Sequence, residues 1–196
     1  LDATKLRKTT RTLNFFSNFV AVMAITKEKG QMQKGFLMVA IMLLGLTDAV
    51  HAQVKMVMPP CLKAGDTIAV ISPSSSPDSV TVEKGCAALR EWGFVPVVGP
   101  HALDDYHGFA GEADDRAADL LWALSDSTVR AIMCSRGGDG AVQVLKRVPL
   151  TMFASHPKWI IGFSDVTALH SAAVSAGVMS IHGSMCDGIA AKGEHL

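Results

Sequence analysis

Trp159-Ile160-Ile161-Gly162-Phe163-Ser164-Asp165-Val166-Thr167-Ala168-Leu169-His170 is the stretch on which the fold turns. Its first residues are large, apolar and β-branched, as in a buried strand. The run stops at Gly162-Phe163-Ser164-Asp165, and a helix-like pattern begins at once. A strand that passes directly into a helix is the repeating unit of a parallel sheet. A serine at that bend has two readings. It can cap the following helix, with Thr167 at the third helical position. It can also be a presented nucleophile, because strand end and helix start converge on one hydroxyl.

The same alternation extends backward. Asp66–Ile71 reads as a strand, stopped by the turn formers Ser72-Pro73-Ser74-Ser75-Ser76-Pro77. Asp78 or Ser79 can cap a helix through Arg90, with Val82, Cys86 and Leu89 on one face, and Gly93 ends it. Phe94–Val98 is a second strand, Ala117–Leu124 a helix, Val129–Ser135 a third strand, and a helix runs to about Lys146. After the Trp159 strand and the Ser164 helix, Val178–His182 is the final strand. Repeated βα units predict an α/β fold: a mainly parallel, doubly wound sheet of Rossmann or flavodoxin type, with helices on both faces. Ligands bind such sheets at the carboxyl ends of strands. Both Gly162-Phe163-Ser164 and Arg136-Gly137-Gly138 fall there.

In Ser135-Arg136-Gly137-Gly138-Asp139-Gly140, three glycines turn the backbone sharply beside a helix start. The exposed N–H groups can stabilise an oxyanion, cradle a phosphate, or simply make a tight turn. For the phosphate reading, Gly137-Gly138-Asp139-Gly140 resembles the signature of NAD and diacylglycerol kinases, although Ala141 stands where those families usually have threonine.

Composition narrows the classes. The 196 residues, 49% of them hydrophobic, are ample for one packed domain plus appendages. Eighteen basic and eighteen acidic residues balance, with no basic stripe for nucleic acid. No run of about 20 apolar residues reads as a stable membrane span. The four cysteines Cys61, Cys86, Cys134 and Cys186 show no C-x-x-C pair and no metal spacing, so no metal or cofactor is expected. Cys134, inside an apolar run, reads as a buried free thiol. Residues 1–31 read as an upstream or leader segment without an assigned fold. Residues 32–52 read as a signal peptide, with Lys34, the apolar run Gly35–Leu46, and Val50-His51-Ala52 before a cleavage at Gln53. That leader implies export; without it the protein is cytoplasmic.

Taken together, the motifs from about Pro59 to Asp187 resemble the LD-carboxypeptidases, serine peptidases that include muramoyl-tetrapeptide carboxypeptidases and microcin C immunity peptidases. The resemblance lies in Leu62-Lys63-Ala64-Gly65-Asp66-Thr67-Ile68-Ala69-Val70-Ile71-Ser72-Pro73-Ser74, Phe109-Ala110-Gly111 and Arg116–Leu124. It continues through Ile132-Met133-Cys134-Ser135-Arg136-Gly137-Gly138, Ile161–Leu169 and Ile181-His182-Gly183. It implies that Ser164 is the nucleophile and that the N–H groups of Gly138 and Asp165 form an oxyanion hole. Arg136 and Gly137 would meet the substrate, Arg136 through its terminal carboxylate or else as a brace of the loop. The implied reaction removes terminal D-alanine from peptidoglycan tetrapeptides through an acyl-enzyme.

The resemblance also implies a histidine base oriented by a glutamate, in a C-terminal domain beyond this chain. Residues 53–187 are then the N-terminal nucleophile domain and 188–196 the start of a linker. On this reading His170 faces away from the serine and His182 is structural or supporting. The chain alone is expected to have negligible activity, and exposed interface would favour association, a homodimer among the outcomes. Asp139 replaces a common aromatic residue and adds negative charge near the oxyanion. Beside the peptidase stand a kinase-like phosphate site on Gly137–Gly140 and a muropeptide-binding module without catalysis.

Overall fold

A computed structural model describes residues 56–192 of the chain. The readings placed on residues 1–31 and 32–52 lie outside these residues. Five strands form one sheet in the order β2-β1-β3-β4-β5: β1 Thr67–Ile71, β2 Val95–Val98, β3 Val129–Cys134, β4 Trp159–Gly162 and β5 Ile181–His182. All four pairings are parallel. Among the described residues the helices are α1 Ser79–Glu91, α2 Ala113–Ser125, α3 Ala141–Leu145, α4 Leu150–Ser155, α5 Thr167–Ser175 and α6 Cys186–Lys192. This is the expected doubly wound α/β class, in its flavodoxin-like strand order.

Strands of a parallel sheet are buried on both faces, and β1 shows how. Ile68 and Val70 pack with Val82, Cys86 and Leu89 of α1 and with Cys186 and Ile189 of α6. Ala69 and Ile71 point the other way, into a cluster with Leu120, Val144, Phe153 and Leu169. Helix α1 begins where the sequence places it: the Asp78 carboxylate accepts the Thr81 N–H at 2.9 Å. Gly85 sits on its buried face, where a Cβ would lie 2.8 Å from Cys186 Cβ. That missing side chain is what lets α6 lie close to α1. The sequence reading starts a linker at residue 188; instead α6 continues to Lys192, with Ile189 and Ala190 buried, because Ile189 completes the apolar cluster under α1.

Other differences are local. Helix α2 starts at Ala113, four residues before the expected Ala117, where the Glu112 N–H donates to Asp115 Oδ2 at 3.1 Å. The expected strand Val178–His182 shrinks to Ile181–His182, while Val178 makes a separate parallel bridge to Val57. Cys134 is buried and free, as expected, and burial pushes its thiol up. On the β2 edge, Val95 and Gly99 donate to Asp66 O and Val70 O, so the nitrogen of Pro96 faces outward and no ladder bond is lost there.

Lys158, just before β4, is buried and donates from Nζ to Ala123 O and Asp126 O at the end of α2. Burial pulls its pKa down to about 8 from 10.5, outweighing the attraction of Asp126. Below pH 8 folded and unfolded chains both carry this proton. Between about pH 8 and 10.5 the unfolded chain binds a proton that the folded chain lacks, so this group's contribution to stability rises with pH. The thermal midpoint of the wild type, relative to Lys158→Met, should therefore climb from pH 8 to pH 10. A difference flat across that window would remove the inference.

Candidate active site

The loops after β1, β3 and β4 lie side by side at the carboxyl edge of the sheet, because those strands are neighbours. Between β1 and β3 the winding changes direction, the place where such sheets bind ligands. Ser72–Ser76 follows β1, Arg136–Gly140 follows β3, and Phe163–Asp165 follows β4.

At the β4 bend, Ser164 takes φ 62°, one of two non-glycine residues in the left-handed region among those described. For a side chain other than glycine that conformation costs about 1–2 kcal/mol. The bend is tight: a Cβ on Gly162 would lie 2.7 Å from Val166 Cγ1. Ser164 is exposed and its hydroxyl caps nothing; the short 3₁₀ turn Ser164–Val166 that leads into α5 has no side-chain cap. No described residue hydrogen-bonds that hydroxyl. The capping alternative therefore fails on geometry, and a strained, free serine hydroxyl is left at the mouth of the sheet.

The glycine turn presses against it. A Cβ added to Gly137 would stand 3.1 Å from Ser164 Cβ and 3.3 Å from its Oγ. Gly138, at φ 122°, has Ser75 Oγ only 2.1 Å from where a Cβ would be. One amide of the turn and the first of α3 are occupied: Asp139 N–H donates to Ser75 Oγ at 3.3 Å, and Ala141 N–H to Asp165 Oδ2 at 2.9 Å. No described acceptor takes the N–H of Gly137, Gly138 or Asp165. This pattern weakens the phosphate cradle, since the first amide of α3 already serves a carboxylate. Among the described residues, no group of three His, Cys, Asp or Glu side chains is placed to hold a metal.

Arg136 is exposed, and its guanidinium donates to Ser76 O at 3.3 Å, which braces one loop against the next. His170 is buried behind the strand: Nε2 meets Gly162 O at 2.9 Å and Nδ1 meets Ser180 Oγ at 2.9 Å. A carbonyl only accepts, so Nε2 is the donor in that bond, and Nδ1 is engaged by the serine hydroxyl. Both nitrogens are occupied, and His170 does not serve Ser164. His182 is exposed, with its ring 6.2 Å from Phe163 and 5.8 Å from His170.

Sequence reasoning missed Arg116. It is 2% exposed and donates to Pro73 O at 2.8 Å, Gly140 O at 3.1 Å and Gln143 Oε1 at 2.8 Å. Its charge lies 4.9 Å from the centre of the Phe109 ring, a cation–π arrangement. Its Nε is buried without a partner among the described residues. Burial pulls this guanidinium below the usual arginine range, against the opposing pull of Asp165 and Asp139. The signal was available: Arg116 stands in line with Leu120 and Leu124 on the apolar face of α2, where a charge needs partners.

A strained, exposed serine thus stands at the end of an inner strand of a parallel α/β sheet, with unclaimed amide hydrogens beside it. Residues 68–183 match the LD-carboxypeptidase N-terminal domain, and the chain belongs to that family. A Streptomyces coelicolor protein named as a carboxypeptidase is 41% identical over 140 residues, 69% of this chain and 45% of that protein. The murein tetrapeptide carboxypeptidase of Pseudomonas aeruginosa is 32% identical over 123 residues, 62% of this chain and 40% of its own length. Among solved structures, an MccF-like protein from Bacillus anthracis superposes with a TM-score of 0.63 at 29% identity, covering 68% of this chain and 42% of that one. The chain thus spans less than half the length of these relatives.

Proposed function

We propose that this chain carries the nucleophile half of a serine LD-carboxypeptidase, which releases terminal D-alanine from peptidoglycan tetrapeptides. One observation carries the reading: the Ser164 hydroxyl is exposed, strained and unpartnered beside the glycine turn. Ser164 attacks the scissile carbonyl, and the N–H groups of Gly138 and Asp165 receive the oxyanion. Each such donor typically contributes about 3–4 kcal/mol to the transition state. D-Alanine leaves, and water hydrolyses the acyl-enzyme. Arg136, at the rim, meets the terminal carboxylate by exchanging its Ser76 contact for a two-point one. The general base is a glutamate-oriented histidine supplied from outside the described residues, since His170 is occupied elsewhere. The substrate is a muropeptide, met outside the cytoplasm if residues 32–52 act as an export signal and inside it otherwise.

Prolonged incubation with a fluorophosphonate tests this. Whether or not a base is engaged, a serine in a formed oxyanion hole reacts faster than a bulk hydroxyl, since hole and binding alone leave roughly 10³-fold catalysis in serine peptidases. Peptide mass spectrometry should place the label on Ser164. Label spread over other serines, or ATP protection against unfolding with no label at Ser164, would overturn the proposal. Muropeptide binding with Ser164 inert would select a binding module instead.

A further inference from the structure

The peptide bond between Gly140 and Ala141 is gripped on both sides. Its carbonyl accepts from Arg116 Nη1 at 3.1 Å, and its N–H donates to Asp165 Oδ2 at 2.9 Å. The same two side chains grip the loop after β1. Arg116 Nη1 also donates to Pro73 O at 2.8 Å, and the buried Ser74 hydroxyl donates to Asp165 Oδ2 at 2.7 Å. One carboxylate oxygen therefore joins three loops that are far apart in sequence: it follows Ser164 directly, holds the loop after β1, and holds the start of α3.

That geometry answers a question left by the backbone. Ser164 sits at φ 62°, which a serine adopts only when its surroundings impose it. The hydroxyl itself has no partner that imposes it. The next residue does: its side chain is anchored at two points, the loop after β1 and the start of α3.

We propose that the Asp165 carboxylate is the positioning residue of this site: it holds Ser164 in the left-handed conformation and sets the glycine turn against the serine hydroxyl, with Arg116 locking the far side of the same peptide. This rests on the reading of Ser164 as the nucleophile. It is separate from any role of the Asp165 N–H, which every substitution at 165 other than proline retains. The role is geometric. A negative charge near a developing oxyanion is itself unfavourable, and the buried Arg116 cation offsets it. An asparagine oxygen in the place of Oδ2 can accept from both Ser74 and Ala141.

The test compares wild type, Asp165→Asn, Asp165→Ala and Ser74→Ala by the second-order rate of fluorophosphonate attack at Ser164, and by the Ser164 backbone in crystal structures of each. Misplacing reacting groups by about 1 Å costs roughly 100-fold. Asp165→Ala should fall on the order of 100-fold with Ser164 relaxed to negative φ, and Ser74→Ala should fall in between. Asp165→Asn should stay within about threefold of wild type, a rescue that loss of the charge alone would not allow. A wild-type rate in Asp165→Ala or Ser74→Ala would sink the proposal, as would an Asp165→Asn as slow as the alanine variant. If Asp165→Ala does not fold, the other two variants decide. If wild-type Ser164 takes no label, the nucleophile reading fails, and the structures still decide this one: Ser164 unchanged at positive φ in Ser74→Ala refutes it, and Ser164 relaxed there upholds it.

Discussion

Ser164→Gly should lose all fluorophosphonate labelling at this position and, at the same time, raise the stability of the protein. The first effect follows from removing the attacking oxygen; loss of the nucleophile costs serine peptidases about 10⁶ in turnover. The second follows from the backbone. A serine at φ 62° stores about 1–2 kcal/mol that glycine does not, and glycine returns about 0.5–1 kcal/mol of that through its looser unfolded chain. The net gain is up to about 1.5 kcal/mol, or roughly 4 °C in thermal midpoint for a domain of this size. Ser164→Ala should lose labelling without the gain, because alanine is as strained there as serine. The pair of melting curves separates strain from chemistry: equal midpoints for the glycine and alanine variants would show that the bend stores nothing.

Arg116→Met should be the most destabilising single change near the site. It removes a buried cation that satisfies Pro73 O, Gly140 O and Gln143 Oε1 and that lies against Phe109. Relief of guanidinium desolvation and the packing of methionine offset part of the loss. The unsatisfied carbonyls and the uncompensated Asp165 outweigh that relief, since removing one member of a buried charged network costs about 3–5 kcal/mol. We expect a loss of about 3 kcal/mol, near 10 °C in midpoint, measured by calorimetry. Arg116→Lys keeps the charge but not the fork that reaches two loops at once, and should fall between. A methionine variant within about 0.5 kcal/mol of wild type would show that guanidinium burial cancels its contacts, as happens in some buried ion networks.

These two residues also mark the limits of sequence reading. The bend at Ser164 was legible because a strand, a turn and a helix are all local: apolar residues, a glycine and a helix-forming pattern occupy one short stretch. Helix α1 was legible for the same reason, from Asp78 and the spacing of Val82, Cys86 and Leu89. What the local pattern does not carry is long-range pairing. No spacing in the chain announces that Pro73, Arg116, Gly140 and Asp165 converge, and the serine-rich loop after β1 reads as a plain turn although Ser72, Ser74 and Ser75 each make a specific long-range bond. Helix α4 went unseen because Leu150–Ser155 follows Pro149 with no polar cap and falls short of two turns. Helix α6 from residue 188 onward was read as a linker because its burial depends on Gly85, a residue on another helix.

The strand order has a consequence for how the polypeptide is made. β1 is an inner strand of the sheet, yet one of its two partners, β3, begins only at residue 129. A ribosome adding about 5–20 residues per second leaves the apolar run Ile68–Ile71 half-paired for several seconds after it emerges. Pairings so distant along the chain also slow refolding from denaturant. Pairing of β1 on both sides therefore waits on the third strand to be made, and the nascent chain is most prone to aggregate before Cys134 has left the tunnel.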